Sequence, residues 1–264
     1  MKILGLLPNL IITSPDKPKG RGLIMEANPV KIWAQENNIK FLTPKKLDSD
    51  FMFQVSSFKF QFFLVASYGK IVPKVILDMP KYGVLNIHPS LLPKYRGPSP
   101  LQEQILNDEK NVGVTVMLMD AEIDHGPIIA QEEIEIQNWP LNLMELKEIT
   151  AKTGVKLLVD NLEAWINKKM EAKEQDHDQA TFTKKVEKND GLLDLEFGKP
   201  YENYLKTKAY YPWPGTFFFI TKGEQKIRII IKESEYVNGE FHILKVLPEG
   251  KKEMSYEDFL RGLK

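Results

Sequence analysis

Four short apolar runs, at residues 10–12, 60–67, 84–88 and 112–119, are each bounded by turn-forming residues, and they constrain this chain more than any other feature. Runs of that kind suit strands buried on both faces of a parallel sheet. Between them lie helical stretches that open on proline, at residues 73–79 and 98–107, where the missing amide hydrogen costs a helix least. Such alternation predicts an α/β sheet. Leu143, Leu146, Ile149, Leu157, Leu162, Trp165 and Ile166 then recur at helical spacing, which predicts one long packed helix over about 142–168. The run Glu171-Ala172-Lys173-Glu174-Gln175-Asp176-His177-Asp178-Gln179 is too polar to bury much and reads as a linker. Beyond it, residues 217–221, 226–236 and 240–247 alternate like antiparallel strands, with Gly223 and Asn238-Gly239 supplying turns that need positive φ. Ser255 followed by Asp258 is a variant capping signal for a last short helix. The expected organisation is a mostly parallel, Rossmann-like α/β domain over 1–170, a linker over 171–185, and a small C-terminal β-barrel over 186–264.

Composition narrows the function classes. The 264 residues, 42% of them hydrophobic, can bury a substantial core. The 36 basic residues balance 36 acidic ones, so bulk charge demands neither nucleic acid nor an anionic membrane, and an RNA partner would be held by a local patch. The absence of cysteine excludes a disulfide framework, a thiolate zinc site and a cysteine nucleophile, and fits a reducing compartment. Pro8 and Asn9 interrupt the apolar start, no cleavage site follows, and no run reaches the roughly 18 apolar residues of a membrane span. A soluble, cytoplasmic protein is expected.

The densest chemical signal is Asn86-Ile87-His88-Pro89-Ser90-Leu91-Leu92-Pro93-Lys94-Tyr95-Arg96-Gly97, a strand that breaks at the proline after the histidine. Strand alternation sends Asn86 and His88 to one face, and the carboxyl ends of strands in an open α/β sheet face the ligand crevice. An isolated pair of this kind also fits a core histidine beside a turn-satisfying asparagine. The strand over 112–119 ends in Asp120-Ala121-Glu122-Ile123-Asp124-His125-Gly126-Pro127, where Asp124 is placed to orient an imidazole. Taken alone, Asp124 before His-Gly-Pro is an ordinary turn residue.

These stretches together resemble the folate-dependent formyltransferases. The matching elements begin with Ser14-Pro15-Asp16-Lys17-Pro18-Lys19-Gly20-Arg21-Gly22, Ser67-Tyr68-Gly69-Lys70-Ile71-Val72-Pro73 and the Asn86 and Asp124 segments. Gln179-Ala180-Thr181-Phe182-Thr183-Lys184-Lys185, Pro212-Trp213-Pro214-Gly215 and Leu247-Pro248-Glu249-Gly250-Lys251-Lys252-Glu253-Met254-Ser255 complete the likeness. The resemblance implies a formyltransferase fold followed by an OB-like barrel, with catalytic Asn86, His88 and Asp124. It further implies a folate-binding segment at Ser90, Leu91, Leu92 and Pro93, and tRNA contacts at Arg21, Lys184 and Lys185. The implied formyl donor is 10-formyltetrahydrofolate, the acceptor is initiator methionyl-tRNA, no metal is required, and the protein is a monomer. A sugar-amine formyltransferase and a non-catalytic tRNA-binding remnant remain the alternatives. A nicotinamide enzyme is disfavoured because no G-x-G-x-x-G follows a first strand.

Relatives begin with a strand, a loop and a helix ahead of the segment matching residues 9–22. An average strand needs about 5–6 residues and a helix about 11–12, so that unit does not fit before Leu10. Leu4 to Leu7 resembles the end of its helix. The expectation is a start assigned too late rather than a true product of this length, and unpaired strand edges where the central strand would lie.

Overall fold

In the computed structural model of the chain, which describes residues 5–19, 23–55 and 58–263, the apolar runs form strands. The first stretch carries β1 (Ile11–Ile12), β2 (Lys17–Lys19), β3 (Ile24–Glu26), α1 (Pro29–Glu36), β4 (Phe41–Leu42), α2 (Ser49–Val55) and β5 (Phe63–Val65). There follow α3 (Lys74–Leu77), β6 (Val84–His88), α4 (Pro100–Leu106), β7 (Val112–Leu118), β8 (Ile128–Ile134) and the long α5 (Leu143–Ile166). The remainder holds α6 (Pro200–Ala209), β9 (Phe217–Lys222), β10 (Gln225–Val237), β11 (Glu240–Pro248), β12 (Met254–Ser255) and α7 (Tyr256–Arg261). Contacts divide the chain into two compact units, one of Met1–His88, Thr115–Gln131 and Gly154–Gln175, the other of Pro89–Val114, Glu132–Thr153 and Asp176–Lys264.

In the first unit, β5 and β6 run parallel with Phe63 opposite Val84 and Val65 opposite Asn86. Strand β7 is antiparallel to β6, with Leu118 opposite Leu85 and Thr115 opposite His88. That direction corrects the parallel pairing expected for residues 112–119: a continuous apolar run encodes burial on both faces, whereas direction is set by the connection before it. The sheet order is β5-β6-β7-β8, and β1 pairs separately and in parallel with β4. Among the described residues β1 and β5 each have one hydrogen-bonded neighbour. Leu157, Leu158 and Leu162 of α5 cover Leu85, Val116 and Ile129 of the sheet, so the apolar stripe is core. The Trp165 indole N–H donates to the Tyr82 carbonyl over 3.0 Å and pins the end of α5 to the turn that enters β6. On the other flank, Leu10, Ile12 and Phe63 pack around Phe51, Val55 and Ile76.

In the second unit the C-terminal strands form an antiparallel sheet of order β12-β11-β10-β9. Alternation turns Phe218, Ile229, Ile231 and Val246 to one side, where Phe259 of α7 covers them. The turns fall at the expected residues, with Gly223 at φ 62°, Asn238 at 53° and Gly239 at 86°. Ser255 caps α7 by accepting from the Asp258 amide over 3.1 Å. A further core joins Ile105 and Val112 to Leu146 of α5 and to Leu205 and Ala209 of α6.

Asp108, at φ 50° in the turn between α4 and β7, braces that core by accepting from the Trp139 indole over 2.7 Å and the Tyr201 hydroxyl over 2.9 Å. Burial, then the Asp108 carboxylate, pushes the Tyr201 phenol up to about 12, so it remains a donor throughout ordinary pH. Asp108→Ala strands both donors, and denaturant unfolding is expected to show a loss of about 2–4 kcal/mol.

Candidate active site

Strand β6 presents its polar residues where a strand in a two-sided core would ordinarily have none. Val84 and Leu85 are buried, and so are Asn86 at 8% exposure and His88 at 4%. Pro89 follows His88 and cannot donate to a ladder, so the strand stops with the imidazole at its carboxyl end. Behind the ring, the Thr115 hydroxyl on β7 accepts from the Gln131 amide of β8 over 2.9 Å.

The acidic loop over residues 119–127, between β7 and β8, brings its carboxylate to the same place. The Asn86 side-chain amide donates to Asp124 Oδ1 over 3.3 Å, and His88 Nδ1 lies 3.5 Å from Asp124 Oδ2. The three residues expected to act together therefore converge. Both distances exceed the roughly 2.7–2.9 Å of a charge-assisted hydrogen bond, so the carboxylate is shared between amide and imidazole. The His88 side chain is 5% exposed and that of Asp124 15%, which leaves the carboxylate edge the wetter one. In that environment the attraction between carboxylate and imidazole is less screened than in water.

The loop is held from several sides. Asp124 adopts φ 48°, a left-handed conformation that Asp tolerates better than most residues. Asp120 Oδ1 accepts from the Glu122 amide over 2.9 Å while its Oδ2 lies 2.6 Å from His125 Nδ1. A Cβ on Gly126 would fall 2.1 Å from the Leu118 carbonyl oxygen, so only glycine lets the loop pass that backbone. The Gln175 side-chain amide donates to the Asp124 carbonyl over 2.9 Å and to the Gly126 carbonyl over 2.7 Å. Sequence reasoning missed Gln175 because a polar residue inside a polar run carries no mark of burial.

The other expected site residues are distributed differently. Ser90 is fully buried with its hydroxyl donating to the Lys94 carbonyl over 2.7 Å, and Leu92 is 3% exposed. Leu91 and Pro93 are half-buried. Lys184 and Lys185 are both exposed, between the buried Thr183 and Val186. Arg21 and Leu4 lie outside the described residues. The Tyr68 hydroxyl, just past the end of β5, is buried without a hydrogen-bond partner, and burial raises its pKa. Among the described residues no cluster of three or more His, Asp and Glu side chains could hold a metal ion, and no helix is long and apolar enough to cross a membrane.

Residues 8–162, which include the whole Asn86, His88 and Asp124 constellation, match the family described as formyl transferase. The chain belongs to the formyl transferase family. It is an enzyme of the formyltransferase class. A methionyl-tRNA formyltransferase of Thermodesulfovibrio yellowstonii is 34% identical over 273 residues, which span 97% of this chain and 88% of that protein. Among solved structures, the methionyl-tRNA formyltransferase of Clostridium thermocellum superposes with a TM-score of 0.61 at 18% identity, covering 92% of this chain and 99% of that one. An N-formyltransferase of Helicobacter canadensis, solved with folinic acid and dTDP-3-aminofucose, gives 0.60 at 19% identity, covering 90% and 95%. The two solved folds are equally similar, so the likeness in three dimensions establishes the fold and leaves the acceptor to other arguments.

Because the formyltransferase loop has no room beside the Leu118 carbonyl, Gly126→Ala is expected to cost about 1–3 kcal/mol by overpacking. A thermal melt unchanged from that of the parent chain would contradict this fit.

Proposed function

We propose that this chain transfers the formyl group of 10-formyltetrahydrofolate to the amino group of initiator methionyl-tRNA. The convergence of Asn86, His88 and Asp124 carries the chemical half of the reading. The acceptor rests on identity of 34% across nearly the whole chain to a methionyl-tRNA formyltransferase. The folate donor rests on the family and on the folinic acid bound by the Helicobacter canadensis relative.

In the reaction, the amine nitrogen attacks the formyl carbon, negative charge grows on the formyl oxygen, and the carbon–nitrogen bond to folate breaks. One amine proton finishes on the folate nitrogen. The Asn86 amide carries two N–H donors, of which one meets Asp124 and the second suits the growing oxyanion. A single donor of this kind is worth about 3–4 kcal/mol in other acyl transfers. With Nδ1 turned to Asp124, His88 exchanges the proton through Nε2, and the carboxylate fixes the orientation of the ring. Leu91 and Pro93, rather than the buried Ser90 and Leu92 side chains, are the members of the 90–93 segment suited to touch the folate.

Lys184 and Lys185 are exposed on a segment whose neighbour Thr183 is tied down, donating its backbone N–H to the Arg96 carbonyl over 2.7 Å. They suit phosphate contacts, and Arg21 completes the proposed tRNA set.

His88→Ala is expected to lower single-turnover formylation by roughly two to four orders of magnitude, the range of a positioned acid–base group. A rate within about threefold of the parent would dispose of the assignment. Methionyl-tRNA should be formylated and a nucleotide-linked amino sugar should not. The Michaelis constant for tRNA should rise steeply with salt while that for folate stays flat, because phosphate contacts release counterions. Equal salt responses, or formylation of the sugar alone, would overturn the acceptor.

A further inference from the structure

Gln175 stands apart from its surroundings. In the polar run over 171–179 it is the buried residue, at 5% exposure, while Glu174 and Asp176 on either side are exposed. Its base is fixed two residues earlier, where Lys173 and Ile128 exchange backbone hydrogen bonds of 2.7 Å in each direction. From there the side-chain amide reaches the acidic loop and places its two hydrogens on the carbonyls of Asp124 and Gly126. Nothing in the formyl-transfer chemistry requires an amide at this position.

We propose that Gln175 is a positioning residue for formyl transfer, clamping the backbone of Asp124 and Gly126 so that the Asp124 carboxylate meets both Asn86 and His88. The proposal rests on the role given to Asp124 above. A left-handed Asp is not the resting conformation of an L-residue, and the loop must be held to keep it. Asp120 organises the first half of the loop through the Glu122 amide and His125. Leu118 confines Gly126 from one side. Gln175 is the group that grips the carbonyl of Asp124 itself, so it governs the direction in which that residue's side chain leaves the backbone. The contacts of 3.3 and 3.5 Å made by the carboxylate sit at the edge of useful geometry, where a small displacement abolishes one of them.

The experiment compares steady-state formylation by the parent chain, Gln175→Leu, Gln175→Glu, Asp124→Asn and the double variant Gln175→Leu with Asp124→Asn. Gln175→Leu should lower kcat by about 10- to 100-fold, as a displacement near 1 Å does elsewhere, with the folate KM changed by less than about twofold. In the Asp124→Asn background the same substitution should change kcat by less than about twofold, because the group it positions is already gone. In Gln175→Glu, a protonated carboxyl can donate to one carbonyl, whereas an ionised one repels both. Its kcat relative to the parent should therefore fall as pH rises, while thermal melts at each pH report that the chain stays folded.

A Gln175→Leu kcat within about twofold of the parent, or full additivity with Asp124→Asn, overturns the positioning role. Should Gln175→Leu fail to fold, the Gln175→Glu series decides: a pH-independent ratio to the parent overturns the proposal and a falling one supports it. Asp124→Asn as active as the parent would remove the role of Asp124 and the proposal with it. An impaired Asp124→Asn beside an intact Gln175→Leu would remove the proposal alone.

Discussion

A carboxylate has to reach two donors on one strand from a loop with no regular structure, and the first unit is arranged around that demand. Asn86 and His88 are fixed by the two-residue period of β6, with Asn86 paired to both β5 and β7 and His88 paired to β7. Asp124 has no such ladder. Its position follows from a left-handed backbone and from contacts made to carbonyls and to a neighbouring acid, each of which is short and directional. The rigid half of the site is therefore a strand, and the adjustable half is a braced loop.

Burial gives this arrangement its strength. A carboxylate, an imidazole and an amide in water would exchange partners freely, whereas beside Val84, Leu85 and Val116 the same groups interact through a medium of lower effective dielectric. The cost of placing Asn86 and His88 in a strand otherwise made of apolar residues is offset only while their polar atoms keep partners. Chemistry and stability thus make the same requirement of Asp124. A carboxylate that drifts away leaves two buried polar side chains with one partner fewer and, in the proposed reaction, a weaker catalyst.

Much of this was legible in the residues. Pro89 ends β6 where the sequence requires it, and the stripe from Leu143 to Ile166 becomes one helix because a repeat of that length has no other amphipathic solution. Positive-φ turns at Gly223 and Asn238-Gly239 fell where expected, since few residues adopt that conformation cheaply. The direction of β7 was not legible, because apolar runs look alike in parallel and antiparallel pairing. Strand β5 spans only Phe63–Val65, shorter than its apolar run. Gln175 was invisible for a different reason: polarity predicts exposure on average, and only the position of two backbone carbonyls makes one amide in a polar run the exception.

The same lesson applies to the rest of the segment that composition marks as a linker. Arg96 is 3% exposed, its guanidinium donates to His177 Nδ1 over 2.8 Å, and its carbonyl accepts from the Thr183 amide. The Thr183 hydroxyl accepts from the Ser99 amide over 3.0 Å, and a Cβ on Gly97 would fall 2.8 Å from the Thr183 carbonyl oxygen. A polar stretch can be ordered without an apolar core of its own when its backbone groups are satisfied by a neighbouring loop. For the proposed tRNA contacts this matters energetically. Lysines on a tethered coil would surrender chain entropy on meeting a phosphate, whereas Lys184 and Lys185 project from a backbone already fixed at Thr183, so that only their side chains are left to be ordered.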